Sequence, residues 1–74
     1  MVTFEKVVEV INSSLDLNLE AEHSILESTL KDLGIDSLDT YSILAELESL
    51  TGKKVPDEDA SKLRTIKNLI DYFN

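Results

Sequence analysis

Apolar residues recur at helical spacing at both ends of this chain, and no stretch between turn signals alternates as a strand would. Phe4, Val7, Val8, Ile11 and Leu15 mark one face of a segment running from about Thr3 to Leu15. Thr3 is placed to cap that segment, and Glu5 lies in its first turn. Near the other end, Ile66, Leu69, Ile70 and Phe73 fall at i, i+3, i+4 and i+7 behind a second capping residue, Thr65. A middle helix starts at Asp36 or Ser37 and runs to about Leu50, with Gly52 as its terminator. Val55-Pro56-Asp57-Glu58-Asp59 opens a short helix with acids favourably placed in its first turn. Residues 16 to 36 show no clean period, yet carry Leu17, Leu19, Ile25, Leu26, Leu30 and Leu33. So many apolar side chains predict a connection pinned across the helices, with a short helical turn near Leu30. The expectation is all-α: a small four-helix bundle of three longer helices and one short one, with a long loop between the first two.

At 74 residues the chain has room for one domain, 1–74. A domain of that size buries only about 60% of its unfolded surface, so its stability margin is thin. There is no cysteine to form a disulfide or a thiolate metal site, and no Trp, so packed aliphatic residues must hold the fold. Fifteen acids against seven bases leave a net charge of −8, which repels nucleic acid backbones and anionic membranes and attracts basic partners. No segment approaches the roughly 20 apolar residues of a membrane span. MVTFEKVVEV lacks the cationic region and unbroken apolar core of a signal peptide, and a cytoplasmic location is expected.

One stretch stands out chemically. In Leu33-Gly34-Ile35-Asp36-Ser37-Leu38-Asp39-Thr40 a single serine lies between two aspartates at a helix start. A Ser or Asp there ordinarily caps the helix by accepting backbone N–H groups. Asp36 alone can do that, which places Ser37 first in the helix with its hydroxyl at the positive end, where a phosphate ester is electrostatically welcome. Gly34 allows a tight turn and close approach by another protein. Catalysis by this serine finds no support, because the only histidine, His23, lies far off in the long connection. Asp57, Glu58 and Asp59 fail as a calcium loop: counted from Asp57, the sixth position is Lys62 rather than Gly and the twelfth is Asn68 rather than Glu. Lys62, Arg64 and Lys67 read as solvated cations.

Asp32-Leu-Gly-Ile-Asp-Ser-Leu-Asp-Thr40 resembles the phosphopantetheine attachment signature of acyl carrier proteins. The resemblance takes in the whole chain: its length, its acidity, the order of helices, Val55-Pro-Asp-Glu-Asp-Ala60 and the closing Ile70-Asp-Tyr-Phe73. It implies a non-catalytic carrier with 4'-phosphopantetheine joined to Ser37 by a phosphopantetheinyl transferase. Acyl groups would travel as thioesters on the arm's thiol, which accounts for a carrier without cysteine. It further implies docking by acyl-transferring and synthase enzymes with basic patches onto the helix behind the serine, through Asp36, Leu38, Asp39, Tyr41, Glu46 and Glu48. For Glu46 and Glu48 a merely solvated face explains the charge equally well. The resemblance sends Ile43, Leu47 and Leu50 inward and leaves Leu38 and Tyr41 at the rim. A core of Val7, Ile11, Ile43, Leu47, Leu50, Val55, Ile66 and Leu69 is compatible with an interior that opens for an acyl chain.

Fatty acid biosynthesis is the expected pathway because its carriers are the most frequent, and those carriers read near D-S-L-D-x-V-E-L on this helix. Here Tyr41 replaces a small aliphatic residue, Ser42 a glutamate and Ser49 a common acid, with Lys53-Lys54 just beyond. Those departures keep open a specialised pathway, such as polyketide synthesis. From another class, an acidic helical binding module without cofactor would use Ser37 only as a cap. A monomer is expected. Self-repulsion at this charge should make the domain salt-sensitive, so its melting temperature should climb through a salt titration; a flat profile would remove self-repulsion as a factor.

Overall fold

The computed structural model describes residues 2–74. Five helical segments succeed one another: α1 (Phe4–Leu15), α2 (His23–Leu26), α3 (Ser37–Thr51), α4 (Asp57–Ala60) and α5 (Ile66–Phe73). The Thr3 hydroxyl oxygen accepts the Lys6 N–H at 3.1 Å to start α1. Thr65 and Asn68 form a reciprocal capping box at α5, and Gly52 ends α3 in the left-handed region at φ 77°. These are the caps expected from the sequence. The departure is α2, a single turn inside the long connection with no side-chain cap. It settles against α5 with Ile25 and Leu26 half-buried, so packing rather than local sequence makes it helical. Around Leu30 the expected turn is present, closed by the Leu33 N–H to Thr29 and Leu30 carbonyls.

The centre of the molecule is aliphatic. Val7, Ile11, Ile43, Leu47, Ile66 and Leu69 are fully buried, bringing α1 against both α3 and α5. The connection lies over this core as predicted: Leu30 is buried, and Leu17, Leu19, Ile25, Leu26 and Leu33 pack on it half-buried. Polar bonds hold its path. The Asn12 side-chain amide clamps Leu19 from both sides, donating to its carbonyl at 2.9 Å and accepting its N–H at 2.8 Å. Further on, the Leu30 N–H donates to the Arg64 carbonyl at 2.7 Å, and Thr29 pairs antiparallel with Thr65. This two-residue seam ties the connection to the start of α5. At the chain's ends, the Asn74 amide donates to the Val2 carbonyl at 2.8 Å and accepts its N–H at 2.9 Å.

Two core assignments need correction. Leu50 is 53% exposed, and Val55 is only half-buried. Leu44 takes the inward place instead, beside Ile43 and Leu47. The apolar residues of α3 point in several directions, so periodicity alone could not tell which stripe faced α1. Val2, Val10, Ile35, Ala60 and Leu63 complete the core from positions outside any clear helical stripe.

A polar corner secures α4, which is too short to hold itself. The Tyr72 hydroxyl donates to Asp59 Oδ2 at 2.9 Å. The Lys53 ammonium lies 4.4 Å from the Tyr72 ring centroid and donates to the Tyr72 carbonyl at 2.7 Å. Partial desolvation, the hydrogen bond to Asp59 and the charges of Asp59 and Glu48 raise the phenol above its ordinary 10.0. A raised acid contributes stability that is complete below its unfolded pKa and lost as pH climbs through the folded one. Melts should therefore show an alkaline loss beginning near pH 10, reduced in Tyr72→Phe; an identical loss in the variant would clear Tyr72. Ile11→Ala and Leu47→Ala should each cost about 3 kcal/mol in denaturant unfolding. Leu50→Ala should cost no more than about 0.5 kcal/mol, as for other exposed sites.

Candidate functional site

The first turn of α3 is built by a division of tasks between neighbours. Gly34 turns the chain at φ 85°, a conformation in which a side chain is strained even though a Cβ would meet nothing within 4 Å. The Ile35 N–H then donates to the Leu30 carbonyl at 2.9 Å, and its side chain is buried. Asp36 is the cap: its Oδ1 accepts the Asp39 N–H at 2.8 Å. Its carbonyl accepts the Thr40 hydroxyl at 2.9 Å. Ser37 comes next as the first helical residue, exposed, with its hydroxyl taking no part in the cap. Of the two readings of this serine, the capping one thus belongs to Asp36.

Two clefts meet at Ser37. The larger, about 540 Å³, has an apolar floor of Leu30, Ile35 and Leu63, with Lys31 and Arg64 among the residues around it. Ser37 and Thr40 line it from α3. The smaller, about 290 Å³, runs between α3 and α4 past Tyr41, Leu44 and Ala60. The exposed hydroxyl therefore stands at the positive end of a 15-residue helix, with room on two sides. Phosphate and alkyl chemistry both fit there: unpaired N–H groups of the first turn suit an anion, and the cleft floors suit a methylene chain. His23 lines neither cleft.

The residues singled out from the sequence fall on one exposed side only in part. Asp36 and Ser37 are exposed at the helix start, and Leu38 and Tyr41 are 77% and 51% exposed just behind them. Asp39 is half-buried, and Glu46 is exposed one turn beyond Ser42. Glu48 is different: its Oε2 accepts the Val55 N–H at 2.6 Å, a bond that fixes the chain between α3 and α4. Sequence reasoning missed Lys31, Leu63 and Arg64 as lining residues. Nothing local marks them; the 29–31 and 63–65 stretches meet only through the seam.

Comparison with known proteins gives two findings. A family model described as the phosphopantetheine attachment site matches residues 5–73. The fold is similar to the solution structure of the acetyl actinorhodin acyl carrier protein from Streptomyces coelicolor, at 27% identity with a TM-score of 0.81. That match covers 99% of this chain and 87% of the other. The capping geometry makes its own demand: Asp36→Ala should lower unfolding free energy by about 1 kcal/mol. Ser37→Ala should stay within about 0.5 kcal/mol of the parent. A reversed order would return the cap to Ser37.

Proposed function

The chain belongs to the phosphopantetheine-attachment family of carrier proteins, which are not catalytic, and on that premise we propose that Ser37 bears the 4'-phosphopantetheine arm. The observation that carries this is the freed hydroxyl: Asp36 caps α3, and Ser37 stands exposed between two clefts. When bound, the arm supplies the thiol on which acyl groups are held as thioesters. The chain's own contribution is to present the Ser37 oxygen, to favour the phosphate at the start of α3, and to shelter the methylene and amide groups beyond that phosphate. Among the described residues no histidine lines either cleft at the serine, so the phosphopantetheinyl transferase brings the chemistry of attachment along with coenzyme A.

In this reading residues 1–74 act as one acyl carrier domain, monomeric and cytoplasmic, serving fatty acid biosynthesis. Partners with basic patches dock over the start of α3, on Leu38 and Tyr41 flanked by Asp36 and Asp39, with Glu46 extending the face. Glu48 contributes less because Val55 engages its carboxylate. Tyr41 favours a second reading. It exposes a bulky aromatic where fatty acid carriers hold a small aliphatic residue, and Ser42 supplies no acid beside it. A carrier dedicated to a specialised pathway accounts for that face as well. Among the described residues no helix is long and apolar enough to cross a membrane.

Intact mass after incubation with coenzyme A and a broad-specificity phosphopantetheinyl transferase should show one added phosphopantetheine, and none on Ser37→Ala. Failure with several transferases would leave an acidic helical binding module as the better account. The loaded form offered to a malonyl transferase of fatty acid synthesis then separates the pathways: efficient charging favours the first reading, refusal the second.

A further inference from the structure

The larger cleft beside Ser37 is out of character with the rest of the surface. The chain carries seven bases against fifteen acids. Two of those bases, Lys31 and Arg64, line this one cleft, where Asp36 is the only acid. The Asp36 carboxylate is already engaged by the Asp39 N–H. Neither cation forms a salt bridge among the described residues, whereas Lys6 pairs with Glu9 and Lys67 with Asp71. The backbone bond from Leu30 to the Arg64 carbonyl joins the stretches that carry them, so the fold rather than sequence proximity puts both cations on one cleft. Beneath them the floor is Leu30, Ile35 and Leu63, all buried. Such a cleft suits a chain of methylenes and amides that carries a negative group.

We propose that this cleft is an anion-receiving subsite for the loaded arm, in which Lys31 and Arg64 hold a negative group carried from Ser37. The inference rests on the attachment reading above. Two groups share the required chemistry: the phosphodiester at the root of the arm, and the carboxylate of an acyl group derived from a dicarboxylic acid. Placing either on a protein of net charge −8 should by itself destabilise the fold through repulsion. A stabilising response to loading therefore has a local source, either the start of α3 or these two cations, and substituting the cations tells the two apart.

The test loads the full chain through one transferase with coenzyme A, acetyl-coenzyme A or malonyl-coenzyme A, checks each product by intact mass, and measures melting temperatures. Lys31→Gln and Arg64→Gln are compared with Lys62→Gln, an exposed cation outside the cleft. If the carboxylate is held, the malonyl form should melt about 4 °C above the acetyl form, and the gap should close in the Lys31 and Arg64 variants but persist in Lys62→Gln. If the phosphodiester is held, all three loaded forms should rise together above the unloaded chain, and fall together in the same two variants. Effects in those variants no larger than in Lys62→Gln, for every loaded form, would overturn the subsite. Absence of loading in the mass check would instead count against Ser37 as the attachment point, so the two failures are distinguishable.

Discussion

The whole arrangement hangs on α1. Val7 and Ile11 are fully buried where α1 meets α3 and α5, and Ile43, Leu47, Ile66 and Leu69 close around them. With no disulfide and no tryptophan, this contact of aliphatic side chains is the main source of cohesion, and small domains have little stability beyond it. It also aims the functional end. Ile43, Leu44 and Leu47 set the rotation of α3, and that rotation decides which way Ser37, four residues before Tyr41, faces. Ser37 itself makes almost no contribution to the core; it is positioned by residues about two and three turns further along its helix.

Helices with a cap and a single apolar stripe were legible residue by residue. Thr3 and the stripe from Phe4 to Leu15 announce α1, and Thr65 with Ile66, Leu69, Ile70 and Phe73 announces α5. The limits of α3 were equally plain, because Gly34 turns the chain before it, Asp36 caps its start and Gly52 ends it. What could not be read was the inward face of α3. Leu38, Tyr41 and Leu50 are exposed apolar residues that spoil its periodicity, and by spacing alone Leu50 competes with Leu44 for the inward place. The single turn of α2 was hidden for a related reason, since its helicity comes from α5 beneath it. Of the site itself, the serine and its cap were written in consecutive residues. The clefts were not, because their walls come from parts of the chain that only tertiary structure joins.

Charge and geometry combine at the head of α3 in a way neither explains alone. Acids surround the serine, yet the backbone there presents unpaired N–H groups and the positive end of a helix. Asp36 satisfies one of those donors and leaves the others for an incoming anion. An acidic protein can in this way steer basic partners from a distance and still accept a phosphate at close range. Distance separates the two effects: steering acts over about a Debye length, roughly 8 Å at physiological salt, while the helix terminus acts within its first turn.

The seam between Thr29 and Thr65 bears on when this site exists as well as on where it lies. The larger cleft gains its second wall only once Leu63 and Arg64 have been made and joined to the 29–31 stretch. A chain that stops short of them carries the signature residues without the shape around them. Recognition that depends on that shape would therefore distinguish the folded domain from its fragments.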